Sequence, residues 1–263
     1  MTLFKDDMRD GFLVAVTVAA GVLPFAMALG VSWWFIFVYV VLSNVHLNAS
    51  MHYQIHRPMF SSPRVNRAYE LLCVVPCLVG FQEYKYIHIT HHKNANDKQK
   101  NGKVFDPVST YRWGADGKEE PLLSYIFFGP FRNVLMGETL NAPTQAMDVS
   151  KYYVELYVKF GIAIGIAILN IKFFPFYLLM LYLTWAFNWA LSYCEHHNAL
   201  DQEDVRKDSV SCYNRVYNFF LFNTGYHQEH HYRPGTHWLQ LPKLTKQLPL
   251  DRVVTRYTLF DNH

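Results

Sequence analysis

Between Asp10 and Arg57 the chain carries no Asp, Glu, Lys or Arg. One membrane-spanning helix needs about 20 apolar residues, so this run is long enough for two, with a break at Leu29-Gly30-Val31-Ser32. The first helix is expected from about Phe12 to Leu29, with Pro24 a candidate kink. The second starts near Trp33 and continues past the bilayer, with Trp33 and Trp34 placed at the far interface as aromatic belts are. A second apolar block, Tyr152–Tyr193, holds only Glu155, Lys159 and Lys172 as charged residues and breaks at Asn170-Ile171-Lys172. Glu155 and Lys159 are four apart, a spacing that suits pairing on one helix face.

Two hairpins, about residues 12–50 and 153–193, make four crossings. Both termini and the central segment then share one side. Basic residues agree: of 24 Lys and Arg, only Lys159 and Lys172 fall within the apolar blocks. The positive-inside rule assigns the basic side to the cytoplasm. The expected fold is therefore all-α and integral to the membrane: four transmembrane helices in two hairpins, under a cytoplasmic helical cap of about 57–151 and 194–263, as one domain. Within the cap, Leu71–Phe81 and Leu122–Leu135 are too short to span and read as interfacial or buried helices. A soluble all-α domain does not account for the uncharged runs.

Composition supports this and excludes other classes. Hydrophobic residues make up 51% and charged ones 17%, against about 25% charged in soluble domains. A net charge of +3 without an arginine-rich tract gives no footprint for nucleic acid. Cys73, Cys77, Cys194 and Cys212 form no CxxC pair and read as reduced thiols. The apolar run after the charged N-terminus is too long for the core of a cleavable signal, so none is expected.

Of the 13 histidines, eight fall into three boxes. His227-Gln228-Glu229-His230-His231 and His88-Ile89-Thr90-His91-His92 share HxxHH spacing, and His52-Tyr53-Gln54-Ile55-His56 is HxxxH. On a helix, i, i+3 and i+4 lie on one face. One such face arises by chance, but three in a chain point to a polyhistidine metal site. Every box lies at the cytoplasmic end of a span or in a cytoplasmic segment. The imidazoles are too many for one ion with an open position and suit two ions. Softness alone admits iron, zinc or copper. A ligating imidazole donates its other N–H to a carboxylate, carbonyl or water, and Asp97, Asp106, Glu195 and Glu229 are candidates for that supporting role. Solvated loop carboxylates are the plain alternative for Asp97 and Asp106.

The three boxes around two hairpins resemble the integral-membrane fatty acid desaturase and hydroxylase superfamily. The box-flanking segments His91-His92-Lys93-Asn94-Ala95-Asn96-Asp97, reaching Asp106-Pro107, and His230-His231-Tyr232-Arg233-Pro234, reaching Trp238-Leu239-Gln240-Leu241-Pro242, are similar to that superfamily's. The resemblance runs from about Trp33 to Leu250. It implies a non-haem di-iron centre (Fe2+/Fe3+), with O2 as co-substrate, that oxidises an unactivated C–H bond of a long-chain fatty acyl lipid. Ser192-Tyr193-Cys194-Glu195-His196 resembles the Asn-Tyr-x-Glu-His segment of related membrane alkane hydroxylases and adds His196 as a ninth ligand, although Ser192 replaces their asparagine. The implied ligands are His52, His56, His88, His91, His92, His196, His227, His230 and His231. Tyr53 stands where many desaturases carry an acidic residue after the first histidine, and the three-residue gap departs from the four of stearoyl-type desaturases; both weaken transfer of regiochemistry. No His-Pro-Gly-Gly segment occurs, so electrons are expected from a separate ferredoxin, rubredoxin or cytochrome b5-type carrier.

Desaturation is favoured over hydroxylation or oxidative decarboxylation to a terminal alkene by the third box's flanks. A histidine-rich membrane metal-binding or transport protein is the rival class; it predicts ionisable residues near the midplane of several spans. His46 lies within a span and reads as a buried hydrogen-bonded residue rather than a channel-lining one. His197, His237 and His263 read as structural or surface residues. Trp185, Phe187, Trp189 and Tyr193 read as packing or lipid-facing aromatics rather than a tunnel wall.

Overall fold

The computed structural model describes residues 2–98, 104–113, 117–135, 147–200 and 203–254; His263 lies outside them. Helices account for all the regular structure among the described residues, with only two isolated bridges, Phe4–Phe60 and Ser211–Val254. Four helices are long and apolar enough to cross a membrane: Asp10–Ala28, Trp33–His56, Val149–Leu169 and Phe174–His196. The chain divides into two compact units, Met1–Tyr86 with Thr139–Asn188, and Ile87–Glu138 with Trp189–His263.

The first unit begins with α1 (Asp10–Ala28), which runs through Pro24 without interruption. Its end is set by Gly30 at φ +108°. That left-handed residue lets Gly30 N–H reach the Met27 carbonyl and Val31 N–H the Ala26 carbonyl, a Schellman closure in which glycine avoids the Cβ penalty. The expected break at 29–32 is this turn. The second span is composite: a short 3-10 turn Trp33–Phe35, α2 (Ile36–Val45), a π-helical turn His46–Met51, and α3 (His52–His56). Trp33 and Trp34 are exposed and stacked at 4.3 Å.

After α3 comes α4 (Pro63–Cys73), with proline at its first position, where a missing N–H costs nothing. The expected helix over Leu71–Phe81 is not there. Its first residues end α4, a turn comes next with Leu78 at φ +54°, and α5 (Phe81–Asn94) begins the next helix. Pro76, which cannot donate to a helical ladder, and Gly80 punctuate what hydropathy alone reads as continuous.

The second hairpin is α7 (Val149–Leu169) and α8 (Phe174–His196), which follow α6 (Leu122–Leu135) in the chain. Asp148 caps α7 by accepting from the Ser150 and Lys151 amides. At the turn, Asn170 accepts from the Phe173 amide and donates to the Ala28 carbonyl, satisfying an orphan at the end of α1. Met27, Ile36, Tyr39 and Met180 form a buried core cluster, and Phe12, Val22, Phe37, Val41, Ile164 and Ile168 stay exposed, as lipid-facing residues do. Glu155 and Lys159 do not pair with each other. Glu155 pairs with Arg67 and Lys159 with Glu83, because longer-range partners outcompete the i+4 neighbour.

The second unit holds the remainder of α5 and the end of α8, with α6 (Leu122–Leu135), α9 (Arg215–Phe220) and α10 (His227–Tyr232). On α6, Leu123, Phe127 and Phe131 are exposed while Tyr125 and Arg132 are buried, the pattern of an interfacial helix. Tyr125 packs edge-on against Trp189 at 5.0 Å and Tyr193 at 5.2 Å. Arg132 pairs with Glu120 and lies 4.5 Å from the Tyr125 ring. Trp189 and Tyr193 are thus packing residues, Phe187 is exposed, and Trp185 donates to the Cys77 carbonyl.

Candidate metal centre

The helical spacing does what it promises within each box. On α5 the rings of His88 and His92 are 4.5 Å apart and those of His91 and His92 5.7 Å. On α10 the rings of His227 and His231 are 4.6 Å apart and those of His227 and His230 6.0 Å. On α3, His52 and His56 lie one turn apart at 5.7 Å.

In the second unit, His91, His196, His227 and His231 are all buried and bring one ligand atom each within 4.8 Å of one another. His91 Nε2 is 3.3 Å from His231 Nε2, and His196 Nε2 is 3.1 Å from His227 Nε2. Imidazole nitrogens converging this closely repel through their lone pairs unless a proton or a cation sits between them. A borderline-soft cation fits that donor set. His88, His92 and His230 form a neighbouring group, with His92 Nε2 3.0 Å from both His88 Nε2 and His230 Nε2.

The far side of the rings fixes their orientation. Asp106 Oδ2 accepts from His91 Nδ1 at 2.8 Å, which leaves the His91 Nε2 lone pair aimed inward. The same carboxylate accepts from the amides of Asn96 and Val108. Burial opposes the charged form of His91, but Asp106, with Asp208 and Asp97 further off, outweighs it and holds His91 above its ordinary value. A cation at Nε2 would take that proton's place. Burial first, then the neighbouring imidazoles, pulls His231 well below its ordinary value, keeping it neutral and able to ligate.

The other carboxylates divide. Asp97 accepts from the Phe105 and Asp106 amides and so shapes the loop that presents Asp106. Glu195 Oε2 is 3.8 Å from His227 Nε2, on the face where the imidazoles converge rather than behind a ring. Glu229, expected behind an imidazole, instead accepts from Ser211 Oγ, Tyr213 Oη and Thr245 Oγ1. Asp208, unremarkable in a polar stretch of sequence, puts Oδ1 3.0 Å from His231 Nδ1, out of line for a hydrogen bond. Its carbonyl lies 3.4 Å from His196 Nδ1, and burial pushes its carboxyl up to about 7. Asn96 ties α5 to α8 by donating to the His196 carbonyl at 3.1 Å.

The remaining described histidines have structural partners. His46 is buried between Thr17 and the Cys73 carbonyl, His197 pairs with Glu119, and His237 accepts from the Leu239 amide.

Four helices long and apolar enough to cross a membrane, and clustered imidazoles of which His91 is backed by a carboxylate, are the features of a multi-pass helical membrane protein with a polyhistidine site able to hold metal. The family model described as fatty acid desaturase matches residues 31–256, and the chain belongs to that family. No curated protein and no solved structure gives a significant match.

Proposed function

We propose that the protein is a di-iron oxidase that desaturates a long-chain fatty acyl substrate at the expense of O2. The observation that carries this is the convergence of His91, His196, His227 and His231, backed by Asp106, in a chain of the fatty acid desaturase family. These four imidazoles hold one iron. The other box histidines, His52, His56, His88, His92 and His230, are the sequence's candidates for ligands of the second. Asp106 orients His91, Asp208 lies beside His231, and Asp97 holds the loop carrying Asp106.

When bound, the irons supply O2 activation and removal of hydrogen from an unactivated C–H bond. The chain's own part is orientation and dryness: candidate ligands fixed by packing and, at His91, by a carboxylate, most of them at buried positions that exclude water. The balance is –CH2–CH2– plus O2, two electrons and two protons, giving –CH=CH– and two waters. The electrons come from a separate iron–sulfur or haem carrier of ferredoxin, rubredoxin or cytochrome b5 type. The basic segments support a site on the cytoplasmic face.

The test is purified protein with iron, a reducing system, O2 and a mixed pool of fatty acyl substrates. The expected result is about two irons per chain and an O2-dependent product two hydrogens lighter than its substrate. A product one oxygen heavier would reassign the reaction to hydroxylation, and one shortened by the carboxyl carbon to decarboxylation. Stoichiometric zinc with no O2 consumption after iron loading would return the site to metal handling.

A further inference from the structure

The second span is not a plain α-helix. Immediately before its terminal box it passes through the π-helical turn His46–Met51, every residue of which is buried. A π turn carries roughly one residue more than an α turn. It therefore rotates everything after it by about 100° and shifts it about 1.5 Å along the axis. The element so rotated is α3, His52–His56, the first histidine box itself.

The turn is built rather than tolerated. Side chains in and beside the turn bond backbone carbonyls of the turn, of α2 before it and of α1. Asn48 Nδ2 donates to the Asn44 carbonyl at 2.9 Å, and Tyr84 Oη to the Leu47 carbonyl at 3.3 Å. Asn44 Nδ2 donates to the Val40 carbonyl at 2.9 Å, and Ser50 Oγ reaches across to the Leu13 carbonyl at 2.9 Å.

At the head of the turn stands His46, fully buried and bonded at both nitrogens. Nε2 lies 2.9 Å from the Cys73 carbonyl and Nδ1 3.0 Å from Thr17 Oγ1. A carbonyl only accepts, so Nε2 carries the proton and Nδ1 is the acceptor. Thr17 has one proton and two acceptors in reach, Nδ1 and the Leu13 carbonyl at 3.1 Å. Leu13 already accepts from Ser50 Oγ, so the proton goes to Nδ1, and the Thr17 oxygen accepts from Tyr69 Oη at 3.0 Å. The chain has one direction, Tyr69 to Thr17 to His46 to the Cys73 carbonyl. It ties the start of the π turn to α1 and α4.

We infer that Thr17, His46 and Tyr69 are positioning residues for the first histidine box. Their hydrogen-bonded chain locks the π turn and so sets the rotational phase at which α3 presents His52 and His56. Both nitrogens of His46 are committed, so it is not itself a ligand. This rests on the reading that His52 and His56 bind metal. It extends that reading to residues outside every box.

The test is Co2+ titration of detergent-purified protein, with its visible ligand-field spectrum and thermal melting. Wild type binds two Co2+ per chain; fewer would overturn the ligand reading itself, independently of the inference. Thr17→Val removes the hydroxyl at nearly constant volume. It is expected to weaken one of the two Co2+ by about 10- to 100-fold, the range for losing support behind a ligand, and to leave the other at wild-type affinity. The weakened ion is the one abolished by His52→Ala, so Thr17→Val adds nothing further in that background. Tyr69→Phe, which removes the first donor, gives the same pattern and stands in if Thr17→Val does not fold. Two Co2+ of wild-type affinity and spectrum in both variants would overturn the inference. Equal weakening of both ions with a lowered melting temperature would also overturn it, since it would show a general packing role.

Discussion

His91 Nδ1 and the Asn96 backbone amide converge on one oxygen, Asp106 Oδ2, at 2.8 and 2.7 Å. A single buried carboxylate thus orients a candidate ligand and closes the end of the helix that carries it. Asp106→Asn keeps the size but loses the charge that favours a cation at His91. Metal affinity of the four-histidine group is expected to fall about 10- to 100-fold, read by Co2+ or Fe2+ titration. Asp106→Ala should also lower the melting temperature, because an unsatisfied buried amide costs about 1–3 kcal/mol.

Glu155 supports the same helix from its other end. Its carboxylate, wholly buried, accepts from the Gln82 amide at 2.8 Å and from Arg67 Nη1 at 2.7 Å. Gln82 lies in the first turn of α5, where amides have no intrahelical partner, so a residue of the third span caps the helix of the second box. Glu155→Ala orphans that amide and leaves Arg67 with Glu70 and the Lys151 carbonyl. We expect a loss of about 1–3 kcal/mol and faster hydrogen exchange at the Gln82 amide. Glu155→Gln, which still accepts, should lose less. Unchanged exchange in both variants would remove Glu155 from this role.

How much of this is legible in the sequence depends on range. The four spans show in where charge is absent, and the hairpin turns in Gly30 and Asn170; both are local signals, and the helices fall where expected. Box spacing is local too, so the placing of three imidazoles on one face of α5 and of α10 needed no tertiary knowledge. Partner choice is not local. Glu155 and Lys159 sit at i, i+4 yet turn to Arg67 and Glu83, and Asp208 becomes a neighbour of His231 only through the path of the chain. The π turn is silent because one extra residue leaves an uncharged segment looking the same.

On α6, Gly129 sets how closely the helix approaches the end of α8. A Cβ built there overlaps the Trp189 indole. In an exposed helix Gly→Ala would stabilise by about 0.5–1 kcal/mol, whereas overpacking costs about 1–3 kcal/mol. The indole is held by Tyr125 and Arg132, so the clash should win. Gly129→Ala is expected to lower stability in thermal melts, and Trp189→Phe in the same chain to recover part of it. A stabilised single variant would mean that the indole moves aside freely.

Glu229 sits between ligand candidates His227 and His230, yet it binds hydroxyls. Ser211 and Tyr213 donate to it at 2.9 Å and Thr245 at 2.7 Å. Three donors on one buried carboxylate anchor α10, a helix of six residues too short to hold itself. A residue behind an imidazole, when neutralised, changes the metal spectrum at nearly constant stability; an anchor does the reverse. Glu229→Gln turns an N–H2 group toward donors that need an acceptor. It should cost about 1.5–3 kcal/mol, the range for a bond to a charged group, and lower the melting temperature even in metal-free protein. Measured in metal-free and Co2+-loaded samples, a drop present in both places Glu229 in the scaffold. A drop seen only with metal bound would return it to the back of a ligating ring.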